Sequence, residues 1–176
     1  LSSQILIDLR DLEGDYRVFN LQIDKAQSVL SMLIASIGFL GMFWMDRLLF
    51  INTPELIGWM MLARGCYVLI TALFIYILSK TNKVRVFDRL IFGWLSITIL
   101  FMLTFNFIRP VSYQSTVFDI IVIFAIYALS PLKLQRNIFL VLGYSICTLL
   151  INYFIMDGAD PIASKIAIAA QVTVHV

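Results

Sequence analysis

The chain has 176 residues, of which 61% are hydrophobic and 14% charged, with a net charge of +2. Soluble domains run at about 45–50% apolar and about 25% charged, so this composition excludes an ordinary globular domain with a charged shell. The basic residues are scattered over several connections, which excludes a nucleic-acid-binding stripe or a polybasic tail.

The chain opens with a charged stretch, Asp8 to Lys25, and no small-residue cleavage site follows the first apolar run, so that run is expected to stay as an anchor. Residues 1–25 are therefore set apart as a cytoplasmic or interfacial segment. Leu12 to Gln27 mixes charges with Tyr16, Phe19, Leu21 and Ile23, which suits a short helix lying at the inner interface or a cytoplasmic extension of the first span.

Residues 26–176 divide into apolar runs near Ala26–Met45, Leu56–Leu78, Phe87–Ile108, Thr116–Ser130, Asn137–Met156 and Pro161–Val176. A hydrocarbon core of about 30 Å needs about 20 helical residues, so the fourth run is short unless it begins near Tyr113. The sequence starts without a methionine and stops inside the last apolar run, so that helix is expected to be truncated and a longer protein to continue past Val176. Breakers separate the runs: Asn52-Thr53-Pro54, Thr81-Asn82, Arg109-Pro110, Ser130-Pro131 and Asp157 to Pro161. Short connections make sequential helices antiparallel neighbours, so the expected fold is an all-α polytopic membrane bundle of six transmembrane helices in three sequential hairpins.

Orientation follows from the basic residues. With the N-terminus inside, Arg10, Arg17, Lys25, Lys80, Lys83, Arg85, Arg89, Lys133 and Arg136 are cytoplasmic, whereas Arg47, Arg109 and Lys165 are outside. An even number of spans returns the C-terminus to the cytoplasm. Trp44, Trp59 and Trp94 fall near expected helix ends, as an aromatic belt requires. Cys66 and Cys147 lie within apolar runs and behave there as small hydrophobes.

Each ionisable group inside a span needs a physical reason, because burying one costs at least about 2.5–3.5 kcal/mol. Three fall inside: Arg64, Asp119 and His175. Arg64 and Asp119 have opposite charge and both reach the outer half, which predicts a pair between them. Two readings stay open for it: the polar floor of an outward-facing ligand pocket that also draws on Asn106, Asn152 and Gln171, or a structural clasp between helices. His175 has no nearby Cys, Asp or Glu, so no metal site is expected, and a hydrogen-bonding role is expected over a pH-sensing one. The chain carries no H-E-x-x-H, G-x-S-x-G, P-loop or CxxC motif and no two carboxylates in one span, so neither intramembrane catalysis nor a cofactor is expected.

Asp11-Leu12-Glu13 and Tyr16-Arg17 precede the membrane, and the fourth run holds Asp119, Tyr127 and Pro131 before a basic loop with Lys133 and Arg136. With these features the chain resembles the six-helix membrane-associated sensory domains that precede GGDEF diguanylate cyclases, and less closely those of membrane-bound class III adenylate cyclases. The resemblance covers most of the chain. It implies a sensor in a bacterial cytoplasmic membrane that receives a membrane or extracellular cue and passes it through its last helix to a dimeric cytoplasmic cyclase. No GGDEF-type signature or nucleotide-binding residue occurs within the 176 residues themselves.

Ala163, Ala167 and Ala170 in the last run allow close helix approach, either in a homodimer or within one bundle. A small lipophilic or amphipathic molecule is the expected ligand. The competing expectations are a small transporter or channel subunit and a purely structural anchor, although helices broken at matching positions in two halves are not evident.

Overall fold

The structure is a computed structural model that describes residues 2–108, 119–123, 126–127 and 134–155; within it, side chains are described from Arg17 onward in the first helix and from Arg136 to Ile151 in the last. Five helices are delimited: α1 (Ser2–Gly41), α2 (Phe43–Leu49), α3 (Pro54–Lys80), α4 (Val84–Ile108) and α5 (Leu134–Ile155). Residues 119–123 and 126–127 are helical as well, and no strand occurs among the described residues.

Among the described residues three stretches are long and apolar enough to cross a membrane: Arg17–Leu49, Pro54–Lys80 and Val84–Ile108. A shorter apolar stretch, Arg136–Ile151, lies in α5. The three match the first, second and third expected spans, and Arg136–Ile151 overlaps the fifth without reaching membrane-spanning length. The fourth is described only at residues 119–123 and 126–127, and the sixth lies outside the described residues.

Of the two readings of the segment ahead of the first span, a separate interfacial helix gives way to an extension of the span itself. α1 is continuous over 40 residues, about 60 Å at 1.5 Å per residue and about twice the hydrocarbon thickness. No glycine or proline interrupts it between Asp15 and Gly38, so nothing in the backbone chemistry breaks the run between charged and apolar parts. It ends at Gly41, one residue before α2, with Met42 N–H bonded to Gly38 O (3.1 Å) and Asp46 N–H to Met42 O (3.2 Å) on either side of the break. Gly38 and Gly41 both weaken this last turn relative to alanine.

α3 begins with proline in its first turn, where the missing N–H has no intrahelical acceptor to lose. It ends where Thr81 N–H bonds back to Leu78 O (3.1 Å), and Lys83 O then accepts Val86 and Phe87 N–H to start α4.

The chain forms two compact units, Leu1–Ile91 and Phe92–Val176. In the first unit α1 and α2 pack on α3. The buried seam of α1 and α2 is Leu21, Lys25, Ser28, Met32, Ser36, Phe39, Met42 and Asp46; that of α3 is Met60, Arg64, Tyr67, Thr71 and Leu78. Both keep the three-to-four-residue spacing of one helix face. The faces left outside carry Leu30, Leu33, Ile34, Ile37, Leu62, Leu69 and Leu73. The polar side chains of this unit thus lie in the seam beside methionine and aromatic residues, and large aliphatic ones cover the outer faces, an arrangement that suits helices in lipid, where apolar exposure costs nothing.

Several serine and threonine hydroxyls donate to carbonyls of their own helix, which suits a medium without water. Ser28 Oγ donates to Asp24 O (2.7 Å), Ser96 Oγ to Phe92 O (2.8 Å), Thr98 Oγ1 to Trp94 O (2.9 Å) and Thr104 Oγ1 to Leu100 O (2.9 Å).

In the second unit α4 buries Trp94, Leu95, Ile99, Met102 and Phe105, and α5 buries Asn137, Val141, Tyr144 and Thr148 along one face. Trp44 and Trp59 are exposed near helix ends, as belt residues should be, but Trp94 is buried in the middle of α4 and packs as a core side chain. Its expected anchoring role is corrected accordingly.

Candidate functional site

Two buried polar constellations stand out, one in each compact unit. The first is built on Arg64, which lies ten residues, or about 15 Å, into α3 and is 1% exposed. Its Nε donates to Asp46 Oδ2 (3.0 Å), Nη2 donates to the same oxygen, and Nη1 donates to the carbonyl of Phe39. The guanidinium also lies over the Phe39 ring, 4.9 Å from its centroid, and that ring meets Tyr67 at 4.5 Å.

Each contact follows from local structure. Phe39 sits in the last turn of α1, where backbone carbonyls have lost their donors from the next turn, and a planar cation with several N–H groups can serve both such a carbonyl and a carboxylate. Asp46, fully buried, continues the seam of α1 through Phe39 and Met42 at spacings of three and four, so it reaches the face turned toward α3. The carboxylate that the structure sets on Arg64 is therefore one that sequence reasoning passed over, because Asp46 falls one residue beyond the expected end of the first span. The available signal was the periodicity: residues 39, 42 and 46 extend the buried stripe across the glycine break.

The second constellation surrounds Asp119. Its Oδ1 accepts from Asn106 Nδ2 (2.8 Å) on α4 and from the hydroxyl of Tyr144 on α5; Asn106 Nδ2 also lies 3.4 Å from the Tyr144 hydroxyl oxygen, Oη. Asp119 is 3% exposed and Tyr144 fully buried. Thr148, one turn beyond Tyr144 on the same face, is also fully buried. Asn106 and Asp119, both selected from sequence, are thus brought together. Tyr144 was missed, although the spacing of Asn137, Val141, Tyr144 and Thr148 marks a polar seam in an apolar helix.

Arg64 and Asp119 fall in different compact units, and each is described here with its own partners. The side chain of Asn152 and the whole of Gln171, His175, Ala163, Ala167 and Ala170 lie outside the described residues, so the expected floor of a pocket is described only in part.

A third set of contacts sits at the opposite end of the first unit. Arg17 forms a two-bonded ion pair with Asp88 at the start of α4, Nη1 to Oδ2 (2.8 Å) and Nη2 to Oδ1 (2.6 Å), and Lys25 Nζ donates to Asn82 Oδ1 (3.3 Å). α1 is thus held to α3 near one end and to the α3–α4 connection and α4 near the other.

Among the described residues no three His, Cys, Asp or Glu side chains gather into a group able to hold a metal ion. Cys66 and Cys147 are free thiols on exposed faces. No protein-family model, curated protein or solved structure matches this chain, so the roles of its residues have to be argued from their geometry.

Proposed function

We propose that the chain is a membrane signal-input domain, without catalytic chemistry of its own, that regulates a cytoplasmic effector carried by the same polypeptide. A nucleotide cyclase, of the diguanylate type, is the effector implied by the resemblance in the sequence. The observation that carries the reading is α1: one uninterrupted helix, about twice as long as the hydrocarbon is thick, held near both ends of its apolar part, by Asp88 on Arg17 and by Arg64 on the Phe39 carbonyl. A helix so held transmits displacement along its axis, because its own hydrogen bonds resist bending and its ends are tied by charge-assisted contacts.

In this reading a small lipophilic or amphipathic molecule acts in the outer half, near the Arg64 or Asp119 constellation. The response leaves through the inner end of α1 and through the last helix, whose Ala163, Ala167 and Ala170 serve a homodimer contact. This reading takes both termini to be in the cytoplasm of a bacterial cell, as the basic bias of the sequence suggests.

The test is to measure cyclic-nucleotide synthesis by the full protein in defined lipid, for the parent, for Arg17→Ala with Asp88→Ala, and for Ala163→Leu, Ala167→Leu and Ala170→Leu singly. Altered output at unchanged expression and folding supports the reading. Output and oligomeric state that ignore every one of these changes would make the bundle a plain anchor.

The transport reading has one supporting observation, the buried carboxylate of Asp119 among Asn106 and Tyr144. Proton or sodium uptake into sealed vesicles, abolished by Asp119→Asn, would favour it over signalling.

A further inference from the structure

The basic residues at the α3–α4 connection are sorted by direction in a way that the signalling reading does not use. Between residues 80 and 89 the chain reads K-T-N-K-V-R-V-F-D-R, with Lys80, Lys83, Arg85 and Arg89 all exposed. The only carboxylate in that stretch, Asp88, is 7% exposed and held by both arms of Arg17. Phe87 and Ile91 point inward with it. Arg85 and Arg89 are one turn apart on one face of α4, and Val86, 40% exposed, lies beside them. Lys80 lies over the ring of the exposed Tyr76, 6.0 Å from its centroid, at the end of α3.

The outward side of this stretch is therefore cationic with apolar patches, and the one acid within the stretch, Asp88, is neutralised within the fold. It lies where two membrane-spanning stretches, Pro54–Lys80 and Val84–Ile108, leave and enter the hydrocarbon, which is the depth of lipid phosphates. Arginine binds a phosphate with two parallel N–H bonds, whereas lysine contributes a point charge, and this face offers both. Aliphatic stems and Val86 suit the boundary between acyl chains and headgroups.

We propose that the surface formed by Lys80, Lys83, Arg85 and Arg89 is a docking site for the headgroups of anionic phospholipids. Occupancy bears on α1, because the same connection holds Lys25 through Asn82 and Arg17 through Asp88. Anionic lipid thereby reinforces the inner clasp by drawing the α3–α4 connection to the membrane surface.

The experiment presents the full chain, in detergent, with equal parts phosphatidylcholine and phosphatidylglycerol and counts bound lipids by native mass spectrometry. Wild type is expected to retain phosphatidylglycerol in preference by about tenfold or more, since each basic side chain near an anionic surface is worth about fivefold at low salt. The triple variant K83Q/R85Q/R89Q should bring the two lipids close to parity, whereas R47Q, which removes a charge beyond the other end of α3, should keep the preference. Equal retention by wild type, or undiminished preference in the triple variant, overturns the site. Displacement of the lipid by millimolar inorganic phosphate would assign the site to free phosphate and overturn the lipid assignment. If the triple variant does not fold, wild type decides the matter by salt: a preference that falls steeply with ionic strength supports the site, and one indifferent to salt rejects it.

Discussion

Arg64 and Asp46 together are nearly neutral, and separately each is a buried charge. Removing one partner of such a pair leaves the other uncompensated, at a cost of about 3–5 kcal/mol, whereas replacing both with apolar residues of similar size is close to neutral. Arg64→Ala and Asp46→Ala are therefore each expected to destabilise strongly, and Arg64→Met with Asp46→Leu to recover most of the loss. Unfolding of purified protein in mixed micelles, followed by circular dichroism, measures all three. Strict additivity of the single losses would show that the two side chains do not act together. In the second unit, Tyr144→Phe removes one donor from Asp119 and keeps the ring. Hydrogen bonds between membrane helices average about 0.6 kcal/mol and reach about 1.7, so a loss of about 1 kcal/mol is expected. A Tyr144→Phe variant as stable as its parent would mean that this hydroxyl contributes only position.

Along α1 the length of the helix and the direction of its faces have separate causes. Length comes from the absence of breakers between Asp15 and Gly38; direction comes from small, polar and medium-sized side chains recurring at three and four residues from Leu21 to Phe39. Single cysteines placed from Leu21 to Leu40 and reacted with a lipid-soluble maleimide should be protected at residues 21, 25, 28, 32, 36 and 39 and reactive at residues 23, 30, 33, 34 and 37. A flat profile, or one shifted by two residues, would remove the packing of α1 on α3 described above. The inner clasp belongs to the same scale. Exchanging its charges, with Arg17→Asp and Asp88→Arg combined, should restore part of the stability lost in either single reversal, because the exchange again sets one cation against one carboxylate at a site where both side chains are largely buried. Failure of the double exchange to recover any loss would mean that other neighbours of these side chains dominate.

At the scale of the whole molecule the quantity to measure is orientation. Phe50–Thr53 and Thr81–Lys83 flank α3, so they must lie on opposite sides if α3 crosses the bilayer once. The basic bias assigns Thr81–Lys83 to the cytoplasm. Asn82→Cys should accordingly resist an impermeant thiol reagent added to intact cells and react after permeabilisation, with Asn52→Cys showing the reverse. The native cysteines, both on apolar faces, call for a Cys66→Ser, Cys147→Ser background. Labelling of Asn82→Cys from outside would invert the molecule and with it the leaflet that supplies lipid to the α3–α4 connection.

Helix content, the first three membrane-length runs and the two breakers between them were legible in the residues themselves, because hydrophobicity summed over about 20 positions and the local chemistry of proline need no knowledge of neighbours. Asn106 and Asp119 were legible for a related reason: a polar group within an apolar run has to find a partner, whatever the fold. The partners were a different matter. Asp46 looked like a connection residue until the seam of α1 was seen to continue through Met42, and Tyr144 looked like one more aromatic in an apolar helix until α5 turned its hydroxyl to Asp119. Likewise Trp94 resembled a belt residue until α4 began earlier, at Val84, and buried it. Composition sets the cost of burying each group by itself, but which group meets which depends on helix rotation and relative depth, and these are decided by packing among helices that lie far apart in sequence.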